Sequence, residues 1–155
     1  MPYLAQEAGQ EELHNYLREN PHQLHLGRIG FQITKANGEE ADISDIKDIK
    51  QALDLWKGGI VSRFSVEGEP VSVLTCCDPV EDTLAVSVAS PLLRKNRLKI
   101  AFHFPYGSPD AAADWESEEA HQSIVLHQDS RGFSLQRILD QDSYMLVCCL
   151  IATYK

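Results

Sequence analysis

The sequence predicts a mainly β protein, an antiparallel β-sandwich that follows one short N-terminal helix. Apolar residues alternate in short segments that recur at intervals of about 10 residues, a spacing typical of sandwiches rather than of βαβ units. Helical periodicity is confined to the first 20 residues. The chain of 155 residues has 43% hydrophobic residues, which suits one core. We therefore expect one domain, with a helical segment at 1–20 and a β-sandwich at 21–155.

The helix is predicted over residues 5–19, where the segment AQEAGQEELHNYLRE places Ala8, Leu13 and Leu17 near one face. Asn20-Pro21 supplies the stop, because a residue before proline avoids the helical region.

The first strand is predicted in the segment NPHQLHLGRIGF, residues 20–31. Leu24 and Leu26 alternate in one phase, whereas Ile29, Phe31 and Ile33 alternate in the other. The change of phase falls at Gly27-Arg28, and a one-residue slip at a glycine is typical of a β-bulge.

Further strands are predicted where apolar residues alternate, at 60–66, 71–75, 84–88, 98–104, 123–128, 132–139 and 143–153. The last of these is apolar on both faces, which predicts that it is buried in this chain, covered by something that the chain lacks, or out of its native context. Residues 105–122 are rich in Pro, Gly, Ala and acid, and long loops of this kind often have functional roles.

The charge of the chain argues against two classes of partner. Its formal net charge is −9 and it has no block of Lys or Arg, so its field repels nucleic acid and anionic membrane surfaces. The longest apolar run, 144–152, is shorter than the roughly 20 residues that span a bilayer. No signal-peptide pattern is visible at the N-terminus, so the sequence as written predicts a cytoplasmic location.

The four cysteines form two adjacent pairs, Cys76-Cys77 and Cys148-Cys149. Neighbouring residues of a strand face opposite sides of the sheet, so neither pair presents both thiolates to one metal ion. We expect no metal and no cofactor, and reduced thiols that are mostly buried.

A catalytic centre within this chain is not predicted. The sequence has no G-x-S-x-G elbow, no Gly-rich phosphate loop and no H-E-x-x-H helix, and no local pattern singles out a carboxylate pair. A small self-contained enzyme that uses His22, His25, Asp54 or Asp114 remains a third hypothesis.

Two tryptophans favour a role in binding. Trp56 follows Asp54 in LDLWKGG, and Trp115 follows Asp114 in ADWESEE. An indole face packs against the apolar face of a sugar ring while a nearby carboxylate accepts from its hydroxyls. The alternative is that both indoles belong to the core or to an interface. Likewise, His22 and His25 have a simpler interpretation as residues that satisfy local hydrogen bonds.

The chain resembles the N-terminal β-sandwich region of bacterial and fungal six-hairpin glycosidase-like proteins. The resemblance runs from about residue 13 to residue 140 and rests on ordered segments: NPHQLHLGRIGF, DIKQALDLWKGGIVSRF, GEPVSVLTCCDPVEDTLAVSVASPLL, RLKIAFHFPYGS and ADWESEEAHQS. It implies a supersandwich-like domain that packs on a helical-barrel catalytic domain. The catalytic carboxylates of such enzymes lie on the barrel, which this chain does not include.

What the resemblance implies is a non-catalytic domain of a glycoside hydrolase that supports the barrel and contributes to carbohydrate recognition. The alternative is a stand-alone carbohydrate-binding module with Trp56 and Trp115 as its platform. The first interpretation predicts uncovered apolar surface around 144–151 or at the N-terminal helix. The matched positions that become candidate carbohydrate contacts are His22, His25, Arg28, Asp54, Trp56, Arg63, Asp114, Trp115 and His121, with Gly27 and Gly30 in the same motif.

Overall fold

The computed structural model describes residues 9–18, 24–108 and 113–151. Strands dominate, and the sheets whose pairing is defined are antiparallel. The prediction of a mainly β chain with a short N-terminal helix is therefore confirmed. The elements are α1 (Glu11–Arg18), β1 (Arg28–Ile33), β2 (Ile46–Asp54), β3 (Gly59–Val66), β4 (Glu69–Cys77), β5 (Leu84–Ala89), α2 (Pro91–Arg94), β6 (Leu98–His103), β7 (His121–Asp129), β8 (Gly132–Leu139) and β9 (Asp142–Cys149), with 3-10 turns at Ile43–Asp45 and Glu118–Ala120.

The chain forms two compact units. The central unit is Ile29–Phe102, and the terminal unit contains the described residues of Met1–Arg28 and His103–Lys155. The division of the chain into a helical segment at 1–20 and one sandwich domain at 21–155 stays a prediction.

In the central unit, β1 pairs with β6, and a second sheet has the order β2-β3-β4-β5. The hairpin between β3 and β4 turns at Glu67-Gly68, where both residues have positive φ, 50° and 79°. Two such residues match the right-handed twist of the flanking strands. The core of this unit comprises Ile33, Val66, Val71, Val73, Leu92 and Leu98.

Strand β2 is an element that the sequence analysis does not predict. All of its residues after Ile46 are exposed, and the segment IKDIKQALD has no alternation of apolar and polar residues. Its register against β3 shifts between Lys47 and Lys50, where Asp48 has φ 53°. The strand therefore contains a bulge.

The terminal unit is built on the sheet β7-β8-β9. Residues of β8 alternate between buried and half-buried, and Leu135, Arg137 and Leu139 share the buried face. Their spacing of two residues places them on the same side of the strand.

Strand β9 is largely exposed in the described chain, so burial of 143–153 within this chain is wrong, whereas its cover by something that the chain lacks stays a prediction. Its residues alternate between exposed and half-buried, with Met145 62% and Val147 67% exposed. It pairs with β8 on one side, and the described chain leaves the face that carries Met145 and Val147 exposed. Residues 152–153 lie outside the described residues.

The burial of the cysteines also differs from the prediction. Cys76 and Cys148 are half-buried, whereas Cys77 and Cys149 are exposed, and all four are free thiols. The prediction that they are mostly buried is wrong, because adjacent positions of one strand face opposite sides and only one side is covered.

Apolar side chains remain exposed at both of the predicted places. In α1, Leu13, Tyr16 and Leu17 are 55%, 72% and 64% exposed, and Ile151 beyond β9 is 87% exposed. The rest of the predicted helix, 5–8 and 19, lies outside the described residues. Within the described part of the chain, no helix is both long and apolar enough to cross a bilayer.

Candidate functional site

The predicted β-bulge at Gly27-Arg28 is not present, because residues 24–27 do not form a strand and β1 begins at Arg28. Gly27 has φ +147°, and a Cβ built on it would lie 3.0 Å from both the carbonyl oxygen of His103 and Cδ1 of Phe104. A glycine is needed here because only an unsubstituted Cα allows this conformation and this close approach.

On either side of Gly27, His25 and Arg28 lie against Trp115. The guanidinium carbon of Arg28 lies 3.8 Å from the centroid of the Trp115 ring. The ring of His25 meets the same indole edge-on, with centroids 5.2 Å apart. A cation over an indole face is attracted by the ring quadrupole, so these contacts hold Arg28 and Trp115 together.

Asp114 fixes the turn that presents Trp115. Its carboxylate accepts from the backbone N–H groups of Glu116 and Ser117 at 2.9 and 3.2 Å, and from the Ser117 hydroxyl at 2.7 Å. These hydrogen bonds, that of the Ser117 hydroxyl foremost, lower the pKa of Asp114. The backbones of Asp114 and Tyr106 also pair in both directions, at 2.8 and 2.9 Å. Asp114 is therefore a positioning residue.

His121, at the start of β7, contacts a buried arginine. Arg137, on β8, is 1% exposed and donates to the Ser123 hydroxyl at 2.6 Å, while its other terminal nitrogen lies 2.6 Å from Nδ1 of His121. Burial lowers the pKa of His121, and the Arg137 charge lowers it further. His121 is therefore the neutral acceptor of this pair.

Aromatic rings complete the surroundings of the buried arginine. The Phe104 ring centroid lies 4.6 Å from the guanidinium carbon of Arg137, and Tyr106 stacks on His121 with centroids 6.4 Å apart. The Tyr106 hydroxyl donates to Asp140 at 2.7 Å, which raises the pKa of Tyr106. We call the connected set His25, Arg28, Tyr106, Asp114, Trp115, His121 and Arg137 the Trp115 cluster.

Two groups of the cluster are placed to bind an external acceptor. Arg28 is exposed and has no acidic partner within ion-pair distance among residues 9–18, 24–108 and 113–151. Nδ1 of His25 accepts from the Gly27 N–H at 3.1 Å, so the neutral ring has its proton on Nε2. Beside the half-buried indole, the cluster thus offers a guanidinium and an imidazole N–H as donors.

The candidate residues Asp54, Trp56 and Arg63 belong to the central unit. Asp54 Oδ1 accepts from the backbone N–H groups of Trp56 and Lys57, both at 3.1 Å, so this carboxylate also fixes a turn. Trp56 at the tip of that turn is 100% exposed, and Arg63 is an exposed residue of β3. The candidate His22 lies outside the described residues.

Sequence reasoning missed Arg137 and Tyr106. Arg137 lies on the same buried face of β8 as Leu135 and Leu139. A cation at this inward-facing position of GFSLQRIL could therefore have been identified from the sequence. Tyr106 is placed by backbone pairing with Asp114, which no local pattern indicates.

No convergent group of three or more His, Cys, Asp or Glu side chains that could hold a metal ion occurs in the described part of the chain. The aspartates of the small-enzyme hypothesis, Asp54 and Asp114, both accept backbone hydrogen bonds of their own turns, which is a structural role.

Comparisons with protein-family models, with curated proteins and with solved structures found no match.

Proposed function

We propose that this chain is the N-terminal, non-catalytic β-sandwich domain of a glycoside hydrolase, and that it contributes to carbohydrate recognition through the Trp115 cluster. The observation that best supports the proposal is the meeting of candidates from two distant segments. His25 and Arg28 come from the first, Asp114, Trp115 and His121 from the second, and the rings of His25 and Trp115 are 5.2 Å apart.

The chemistry of the cluster suits a sugar ligand. The part of the half-buried Trp115 indole that Arg28 leaves open offers apolar contact to the C–H groups of a pyranose ring. The Arg28 guanidinium has no ion pair among residues 9–18, 24–108 and 113–151. It can donate to hydroxyl or carboxylate oxygens, and its bonds to a carboxylate are the stronger ones. The buried Arg137 and its neutral partner His121 support the turn through Tyr106, which stacks on His121 and pairs with the backbone of Asp114.

The supporting role is favoured by the exposed apolar residues of α1 and β9. Leu17 is 64% and Val147 67% exposed, and patches of this kind mark interaction surfaces. An antibody raised against this chain tests the role by the mass of the native protein in its source cells. A band several-fold heavier than 17.4 kDa would support a barrel-linked domain, whereas a band at 17.4 kDa would contradict it.

The carbohydrate role is tested by tryptophan fluorescence during titration with neutral and acidic oligosaccharides. Arg28→Gln should weaken binding by at least about tenfold, because a hydrogen bond to a charged group contributes about 1.5–3 kcal/mol. Arg131→Gln is the matched control: it removes the same charge from the same unit, at a side chain 88% exposed. Equal affinities for the two variants would contradict the proposal.

Trp56 favours a second candidate, a stand-alone carbohydrate-binding module. Its side chain is 100% exposed at a hairpin tip, so both indole faces are open to a sugar ring. In that case Trp56→Ala should abolish binding while Arg28→Gln leaves it unchanged, which separates the two candidates.

A further inference from the structure

A groove of about 670 Å³ lies on the β2-β3-β4-β5 sheet of the central unit and is lined by two cations, Lys50 and Arg63. The two residues stand directly opposite each other on β2 and β3. Ser72 stands opposite Arg63 on β4. The three side chains therefore form a row across neighbouring strands, because paired positions face the same side of a sheet.

This cation pair is unfavourable unless something neutralises it. Like charges directly opposite each other destabilise a sheet, and neither Lys50 nor Arg63 has an acidic partner within ion-pair distance among residues 9–18, 24–108 and 113–151. The chain has 23 acidic and 14 basic residues, so acids are abundant. Other cations of the same unit, such as Lys95 and Arg97, are paired with Glu69 and Glu67.

A backbone irregularity places Lys50 in this register. The shift in pairing lies between Lys47 and Lys50, and Asp48 adopts φ 53° there. A bulge of this kind re-aims the residues that follow it, and a residue with a side chain rarely adopts positive φ without compensation. The Asp48 carboxylate also lines the groove, where it accepts from the Ser65 hydroxyl at 2.8 Å and lies beyond ion-pair distance of both Lys50 and Arg63.

We infer that this groove binds the oxyanion of a small molecule, a carboxylate or a phosphate, between Lys50 and Arg63. Arg63 offers a planar fork of donors that matches either oxyanion, and Lys50 adds a second positive charge. The Ser72 hydroxyl is the neutral donor of the row. This inference concerns the central unit and does not rest on the proposed function of the Trp115 cluster.

The test is calorimetric titration of the whole chain with inorganic phosphate and with glucuronate, using glucose as the neutral control. We expect saturable binding of at least one anion, weakened by added salt because charge attraction is screened. Lys50→Gln and Arg63→Gln should each weaken binding by at least about tenfold. Lys47→Gln, on the same strand but outside the groove lining, should change it less than about twofold.

The two anions distinguish the source of the oxyanion, since preference for phosphate or for glucuronate assigns the ligand to phosphorylated molecules or to carboxylates. Failure of both anions to bind would overturn the inference, as would equal losses in Lys47→Gln and Arg63→Gln or equal binding of glucose. The melting temperature of the ligand-free variants is a second readout. Relief of like-charge repulsion predicts that Arg63→Gln melts at or above the wild-type temperature, and a lower value would show that Arg63 is structural.

Discussion

Gly27→Ala tests whether the motif NPHQLHLGRIGF owes its shape to the close approach at Gly27. The substitution adds a Cβ at a position with φ +147°, 3.0 Å from the His103 carbonyl oxygen and from Phe104. Gly30→Ala is the matched control in the same motif, because no atom lies within 4 Å of the Cβ position there.

The expected cost of Gly27→Ala has two parts. A side chain in a sparsely populated backbone region costs about 1–3 kcal/mol, and overpacking in a tight site adds a similar amount unless the neighbours move. We expect about 3 kcal/mol in total, which corresponds to a fall in Tm of roughly 6–12 °C for a domain of this size. Gly30→Ala should change stability by less than about 0.5 kcal/mol.

The assay is thermal unfolding monitored by circular dichroism, together with tryptophan emission of the folded variants. Displacement of Arg28 from the Trp115 ring should change the emission in Gly27→Ala and leave it unchanged in Gly30→Ala. If both variants melted at the wild-type temperature with unchanged tryptophan emission, the close approach at Gly27 would not constrain this motif.

Three further predictions concern other parts of the chain. The pKa of His121 is lowered in the folded state, so the unfolded chain binds a proton there more readily. The free energy of unfolding should therefore be highest above pH 6.5 and decrease as the pH falls below it. Urea unfolding at pH 7.5 and 5.5 should show a smaller decrease in this free energy for His121→Gln than for wild type. Trp56→Ala should leave the Tm unchanged, because the side chain is 100% exposed; a large fall by differential scanning fluorimetry would show that the indole is structural. Gly132→Ala should prevent normal folding, because its Cβ would lie 1.9 Å from the Cys148 carbonyl oxygen; native circular dichroism for this variant would contradict the geometry of the β8–β9 pair.

A strand could be predicted from the sequence where one of its faces is buried and the other is not. Strand β8 was predicted at 132–139 because its residues alternate between two environments, and the structure places it at Gly132–Leu139. Strand β2 was missed because it is exposed after Ile46, so no period-2 pattern exists to indicate it. Whether β9 is buried could be predicted only as a set of alternatives, because a run of apolar residues specifies a strand but not what covers its faces.

The site was predictable in part. Arg28 was selected by a resemblance, and Trp115 also by the aspartate beside it, whereas the contact of His25 and Arg28 with Trp115 joins segments almost 90 residues apart and follows from no local spacing. The role of Asp114 was beyond reach because a carboxylate that accepts from its own turn and one that accepts from a sugar look alike in sequence. Arg137 was detectable from its inward phase, but its neutral partner His121 required the pairing of β7 with β8.

Carbohydrate recognition by the Trp115 cluster is tested by backbone and indole N–H chemical shifts of the labelled chain during titration with an oligosaccharide mixture. We expect the largest shifts at the Trp115 indole and at the amides of His25 and Arg28, with the Trp56 indole assigned from a Trp56→Phe variant. Shifts confined to the Trp56 indole, or no saturable shift at all, would contradict carbohydrate recognition by the Trp115 cluster.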